Sequence, residues 1–432
     1  MSLLRKGILV SGGQVLAVAL NMVAGILFAR TLGPDGMGQI ELLRYVATVT
    51  VTVVAMGLGP AIVYFLNNRR VPVTAIVSNS AWVISVLGPI VATGMTAAIL
   101  LMPHYFGAVP AAVAVVFSLG TAAVLAMGLW RQTLVAQLAA NRMVAVDLTP
   151  PATTLAVGSA LAVAGLLSPG GALVAGAVGS MASAGLLLRF LWPHVDLARP
   201  FDWRLLWQLL KYGVQLAAGN VLNVLSMSVT VVLLRYLVLE RFEEVGLYTR
   251  AVAICGLVTL VPVAIAPLLY ARWSGLGGEA RTRQVEMALR LNVGYGVVTA
   301  AGIILFGRYV IWLLYGAKFI PAEAALVFLA PALFFTPITG VCTNLLNSDG
   351  RARTTACILA GTVVIVSAVT CLAVPAMGIR GAALATLCGN GFAGAAGMAV
   401  CVRLYGVKLQ RCFLLLPQDV SYIVHSLRPR QP

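Results

Sequence analysis

Along the chain, apolar residues gather in long blocks parted by short polar breaks. A membrane-spanning helix needs about 20 predominantly apolar residues. Twelve blocks meet that length: 8–30, 42–66, 74–101, 109–131, 145–167, 171–191, 208–236, 248–271, 285–306, 322–346, 354–374 and 381–404. The breaks fall where turn chemistry predicts them, as at Gly33-Pro34-Asp35-Gly36, Asn67-Asn68-Arg69-Arg70, Ser168-Pro169-Gly170-Gly171, Gly275-Leu276-Gly277-Gly278 and Ser348-Asp349-Gly350-Arg351. Outer loops are short, the longest running from about Tyr236 to Leu247. The expected fold is an all-α polytopic membrane protein.

Composition narrows the class. Of 432 residues, 60% are hydrophobic and 10% charged, and mean hydropathy is +0.98. A soluble domain of this size would not cover its surface with so few charges. The net charge of +16 is therefore not read as a nucleic-acid footprint, because the basic residues sit between apolar blocks rather than on a polar background.

Charge also orients the spans. With the N-terminus placed in the cytoplasm, inner segments hold 21 of the 29 Lys and Arg residues, and outer segments and helix ends hold 8. Cytoplasmic loops of membrane proteins carry such an excess. Both termini are thus expected inside, in the cytoplasmic (inner) membrane. At the N-terminus, Arg5 and Lys6 precede an apolar run from Gly7 to Ala29. That run is longer than a signal-peptide core, so a first spanning helix is expected.

Cysteine and histidine point to no redox or metal chemistry. Cys255, Cys342, Cys357, Cys371, Cys388 and Cys401 lie in or beside apolar stretches, without a CxxC spacing, and read as small packing residues. His104, His194 and His425 have no acidic or Cys neighbour at ligand spacing, so neither metal nor cofactor is expected, and no coupling ion is legible.

Twelve spans divide into six plus six. Residues 1–191 are expected to form an N-terminal lobe, 192–207 a cytoplasmic connector, 208–405 a C-terminal lobe and 406–432 a basic cytoplasmic tail. Weak self-similarity supports the division. Gly7 and Gln14 match Gly213 and Asn220 at an offset of 206, and Gly38 matches Gly246 at 208. Parallel repeats of this kind are transporter architecture, with a cavity between lobes that rock.

Polar groups inside spans mark candidate sites, since they are expensive in hydrocarbon. Ser11, Gln14, Asn21 and Gly25 lie near one face of the first expected helix, and Gln215, Gly219, Asn223, Ser226 and Thr230 share a face of the seventh. Small and hydroxylated members suit helix packing; Gln14, Asn21, Asn220 and Asn223 suit a wet cavity. Arg30 closes the first helix, Arg44 opens the second, Arg250 opens the eighth and Arg235 lies near the outer end of the seventh. The planar fork of arginine binds phosphate bidentately. The bland alternative is an arginine that snorkels to the interface. No Asp or Glu sits deep in a span, Asp147 coming nearest. That favours an anionic substrate over a cation-coupled exporter.

Three segments carry a family resemblance. Ala29-Arg30-Thr31-Leu32-Gly33-Pro34-Asp35-Gly36-Met37-Gly38 resembles the A-R-x-L-G-P-x-x-x-G segment after the first helix of polysaccharide-biosynthesis flippases. Val245-Gly246-Leu247-Tyr248-Thr249-Arg250-Ala251 is similar to their G-x-Y-x-x-A segment at the eighth helix, and Gly57-Leu58-Gly59-Pro60-Ala61 also fits. These proteins are the Wzx-type branch of the multidrug/oligosaccharidyl-lipid/polysaccharide (MOP) superfamily.

The resemblance implies a MATE-like fold and movement of an isoprenoid-diphosphate-linked oligosaccharide, such as an O-antigen or exopolysaccharide precursor, across the membrane. It implies membrane lipids, a glycan polymerase and export machinery as partners, and no nucleic acid. Related lipid II flippases use arginines in the first, second and eighth helices around the diphosphate, where Arg30, Arg44 and Arg250 stand in this chain; those flippases carry two further helices. Rocking would hinge near Gly57, Gly59, Pro60, Pro262 and Pro267. A drug antiporter of the same fold is the alternative, against which the carboxylate-free first helix counts. A membrane glycan polymerase or ligase is the alternative of another class, against which the short outer loops count.

Overall fold

In a computed structural model, residues 3–196, 200–238, 241–274 and 278–413 are described. Among them the secondary structure is helical and no strand occurs. The elements are α1 (Leu3–Ala55), α2 (Leu58–Asn67), α3 (Val73–Leu101), α4 (Pro103–Phe106), α5 (Ala111–Ala136), α6 (Ala140–Val163), α7 (Pro169–Leu191) and α8 (Trp203–Leu237). They continue with α9 (Phe242–Ser274), α10 (Gly278–Tyr315), α11 (Glu323–Leu329), α12 (Ala332–Ser348), α13 (Ala352–Met377), α14 (Ile379–Tyr405) and α15 (Gln410–Phe413).

Eight of the described helices are long and apolar enough to cross a membrane, or nine if the bent pair α11–α12 is one span. The sequence blocks map onto these elements with three differences of shape. The first two blocks lie on α1, which is broken at Gly33 (φ 70°) just before Pro34. Only glycine adopts that backbone region without strain, and proline removes the next amide donor. The second block is broken again at Met56 (φ 42°) and Gly57 (φ 70°), so α2 starts a new helix. The tenth block, expected as one span, is bent by 53° between α11 and α12. Pro331 sits in that break, and proline is the usual cause of a sharp bend.

Two helix starts carry a capping side chain. The Ser168 hydroxyl accepts the Gly171 amide at 3.1 Å, and Asp202 accepts the Leu205 amide at 3.0 Å. Each satisfies an orphan donor at a helix start. The connector is tied to α3 by a reciprocal pair: Asn79 donates to the Asp202 carbonyl at 3.2 Å, and the Asp202 amide donates to Asn79 Oδ1 at 3.1 Å.

The chain divides into two compact units, Met1–Thr249 with Leu314–Phe319, and Arg250–Leu313 with Ile320–Pro432. The division runs through α9, so α8 is described with the first unit. The first unit packs α1 on α6 and α8, and α5 on α3 and α7. Its core gathers Leu58, Ile62, Ile76, Leu129 and Leu209 in one cluster and Val77, Trp130, Leu134, Val146 and Leu187 in another. The second unit packs α13 on α14 and α12 on α14. Gly381 lets α14 close on α13, since a Cβ there would come within 2.5 Å of the Ala373 backbone. Small residues give membrane helices such close approach.

Large apolar side chains also remain uncovered. On α10, Val298, Leu305, Phe306, Tyr309 and Trp312 are all more than half exposed. A belt of this size has hydrocarbon as its solvent. The protein is a multi-pass membrane protein.

Candidate functional site

The first unit holds a cavity of about 200 Å³. Its walls come from α1, α5, α6 and α7. Asn21, Phe28, Arg44, Thr48 and Val51 line it from α1; Phe117, Gly120, Thr121 and Val124 from α5; Pro150 and Thr154 from α6; Ala172, Gly176, Ala177 and Ser180 from α7. Beside it α5 and α7 meet closely through small residues, a Cβ on Gly120 coming 2.6 Å from Ala177 Cβ.

The lining has one charged group, Arg44, and no carboxylate. The Arg44 side chain is 48% exposed, and its guanidinium stands 3.7 Å from Glu41. At that separation, and with that exposure, the pairing contributes little. The neighbouring hydroxyls donate to backbone: Thr48 to the Arg44 carbonyl at 2.8 Å, Thr121 to Phe117 at 3.0 Å and Ser180 to Gly176 at 3.1 Å. Their protons are thus engaged and their oxygens remain acceptors. Arg44 and Asn21 are donors. The cavity can receive an anion at Arg44 and hydroxyl donors at the oxygens of Thr48, Thr121 and Ser180.

The residues singled out by sequence separate in three dimensions. Arg44 and Asn21 share the cavity. Arg30 is exposed, and its Nε donates to the Leu314 carbonyl at 3.0 Å. Gln14 on α1 is exposed outside the cavity lining, and so are Asn220 and Asn223 on α8. Arg250 begins the second unit and is 7% exposed.

Arg235 has a different setting. It is 2% exposed, and its guanidinium donates to the carbonyls of Tyr105 (2.8 Å), His104 (2.7 Å) and Val238 (3.3 Å). The Phe242 ring lies 3.7 Å beneath it. It caps the short helix α4 as cations near a helix C-terminus do. Its donors are therefore engaged by backbone rather than turned toward a ligand.

Of the hinge residues, Gly57 lies at the break between α1 and α2, and Gly59 and Pro60 stand in the first turn of α2. Pro262 and Pro267 fall in α9 where the side chains lie outside the described residues.

Buried charge elsewhere meets an ion-pair or a backbone partner at two positions. Asp147, the deepest carboxylate in the sequence reading, is held bidentately by Arg131, both contacts being 2.6 Å. Two further carboxylates are buried: Glu41 is 9% exposed and Glu286 is 4% exposed. Glu286 accepts the Lys408 amide at 2.9 Å. Cys342, Cys401 and Cys412, far apart in sequence, meet in one apolar cluster of the second unit. Among the described residues, no group of three His, Cys, Asp or Glu is arranged to hold a metal ion.

Sequence reasoning missed the walls of the cavity: Thr121, Thr154 and Ser180, and the glycines beside them. The signal was the run of Gly, Ala and Ser along α7, where small side chains leave room.

Long apolar helices enclose a cavity that Asn21, Arg44 and hydroxyl side chains line together with apolar residues, and comparison with solved structures identifies the fold. The chain is similar to an inward closed conformation of the lipid II flippase MurJ, with a TM-score of 0.75 at 12% identity, over 98% of this chain and 94% of that one. It is similar to a MOP-superfamily transporter from Pyrococcus furiosus with a reversed-polarity binding pocket (TM-score 0.68, 17% identity, 93% and 95% covered). It is also similar to an inward-facing multidrug resistance MATE family transporter (0.67, 18%, 94% and 95%). The fold is that of the MOP-superfamily transporters. Residues 3–271 match the polysaccharide biosynthesis protein family, and the chain belongs to it. No curated protein matches the sequence.

Proposed function

We propose that this protein is a flippase for isoprenoid-diphosphate-linked oligosaccharides in surface polysaccharide biosynthesis. The observation that carries the reading is the cavity of the first unit, which offers the Arg44 guanidinium and Asn21 amide as donors and has no carboxylate in its lining. A diphosphate meets a bidentate cation there, and sugar hydroxyls meet the oxygens of Thr48, Thr121 and Ser180. Desolvation of the head group is offset by these contacts, while the prenyl chain stays in lipid. Arg30 and Arg250 are proposed as further contacts along the path, with Gln14, Asn220 and Asn223 on wet faces. Arg235 is proposed to act by fixing the turn at α4.

Transport proceeds by alternating access of two six-helix lobes, hinged near Gly57, Gly59, Pro60, Pro262 and Pro267. The protein works in the inner membrane with both termini in the cytoplasm, beside a glycan polymerase and export machinery. A MATE-like antiporter is the second reading, favoured by the MATE structures among the similar folds. The pairing of Asp147 with Arg131 counts against it, because that carboxylate is not offered to a coupling cation.

The test replaces Arg30, Arg44 and Arg250 singly with Ala and measures surface glycan at equal expression. Loss of export in the Arg44→Ala variant is expected. Wild-type export from all three overturns the assignment, and drug efflux with normal glycan favours the antiporter.

A further inference from the structure

The second unit contains a larger cavity, of about 630 Å³, that the transport path described above does not use. It opens where α10 begins and α14 ends. Apolar spans start at Arg281 and finish at Tyr405, so the cavity lies at the level of the lipid head groups. The charge pattern of the sequence assigns this level to the cytoplasmic face.

One wall is the segment after Tyr405, and the fold holds that segment in place. Glu286 accepts the Lys408 amide at 2.9 Å, and Arg290 donates to the Arg411 carbonyl at 2.8 Å. Thr282 donates to the Tyr405 carbonyl at 3.2 Å, and Cys412 is buried beneath. Chain fixed in this way presents Lys408 and Arg411 at the rim with their side chains exposed.

The acids in the lining are already engaged. Asp349 takes the Tyr405 hydroxyl at 2.9 Å and lies 3.1 Å from Arg281 and 3.2 Å from Arg351. Glu279 pairs with Arg283 at 3.3 Å, and Glu286 holds the Lys408 amide. Lys408 and Arg411 form no ion pair among the described residues. Arg281 is engaged as well, by Asp349 and by the Tyr405 ring 5.1 Å beneath its guanidinium. The cavity therefore has uncompensated positive charge at its rim. Leu345 and Leu404 add apolar surface beside them.

We propose that this cavity binds the phosphate of an anionic phospholipid of the cytoplasmic leaflet, with Lys408 and Arg411 as the phosphate contacts. Basic pockets at the ends of membrane helices recognise such head groups. The lipid stands on the second unit and is separate from the transported substrate.

The test uses full-length protein purified in detergent and titrated with mixed micelles containing phosphatidylglycerol or phosphatidylcholine, with melting temperature as the readout. Phosphatidylglycerol is expected to raise it saturably and phosphatidylcholine is not. Lys408→Gln with Arg411→Gln should weaken half-saturation roughly thirtyfold. Arg69→Gln with Arg70→Gln, exposed cations of the first unit, should leave it unchanged. An equal response to both lipids, or one that survives the Lys408/Arg411 change, overturns the proposal. So does an equal stabilisation by inorganic phosphate or pyrophosphate alone, which would make this a soluble-anion site. A lowered melting temperature of the double variant without lipid does not obscure the result, because the lipid-induced shift is read against each protein's own baseline.

Discussion

Gly38 and Gly246 face each other at a helix crossing that neither could make with a side chain. A Cβ on Gly38 would overlap the Phe242 carbonyl oxygen and lie 3.0 Å from the Gly246 nitrogen. A Cβ on Gly246 would overlap the Pro34 carbonyl oxygen and lie 3.0 Å from the Gly38 nitrogen. The contact is reciprocal under the shift of 208 residues that relates the two segments in sequence. Two-fold related surfaces meet in this way, each residue touching its counterpart's neighbours. A second pair, Gly57 with Gly213, brings the start of α2 against α8, and there Tyr64 stacks on Tyr212 with ring centroids 4.2 Å apart.

The crossing gives a first prediction. Gly38→Ala or Gly246→Ala should destabilise the protein by about 1–3 kcal/mol, the usual cost of overpacking. Because each methyl pushes the same two backbones apart, the double variant should be less damaging than the sum of the singles. Melting temperatures of the four proteins measure that coupling; strict additivity would show that the glycines act separately.

Filling the cavity should separate transport from folding. Ser180→Leu places an apolar side chain into a space of about 200 Å³ and is expected to abolish glycan export at normal expression and little change in melting temperature. Arg44→Lys keeps the charge without the planar fork, so export should fall between wild type and Arg44→Ala. Wild-type export from both Arg44 variants would show that charge and fork are both irrelevant.

The Arg131–Asp147 pair makes a third case. Its side chains are 26% and 16% exposed, so it is neither a surface pair nor fully buried. Asp147→Asn leaves Arg131 partly desolvated without its partner, and a loss of roughly 2 kcal/mol is expected, between the surface and buried ranges. Arg131→Gln combined with Asp147→Asn should recover part of that loss. Thermal unfolding in detergent checks both, and a double variant worse than either single would refute the pairing as the cause.

Asp349 supplies a pH dependence. The Tyr405 hydroxyl, then the Arg281 and Arg351 guanidinium groups, hold its carboxyl below the usual range. A depressed folded value stabilises the protein above the unfolded carboxylate value of about 3.9. That contribution is lost as the pH falls through this value toward the folded one. Asp349→Asn should therefore melt lower than wild type at neutral pH, and the difference should shrink in acid. A gap independent of pH would point to lost packing instead.

Much of the fold was legible because it follows from solvent. The long apolar blocks become helices with uncovered faces, and the breaks at Gly33-Pro34, Ser168-Pro169 and Asp202 take the capping or backbone geometry that their residues prefer. The bend at Pro331 was less legible, since an apolar block reads the same straight or kinked. The site was legible only in part. Arg44 and Asn21 stood out as polar groups in hydrocarbon and do share a cavity, whereas Arg235 stood out equally and is enclosed by carbonyls of residues about 130 positions away.

What the sequence determined by itself was the membrane, the helical class and the family segments around Arg30 and Arg250. Hydropathy and charge are sums over neighbours in the chain, so a linear string contains them. Only the tertiary structure decided which arginine lines a cavity and which caps a turn, and which acids are neutralised. Those outcomes depend on where α4 meets α8, where α5 and α7 close through small residues, and where the segment after Tyr405 folds back on α10. Burial and partnership are properties of packed surfaces, and the chain order does not carry them.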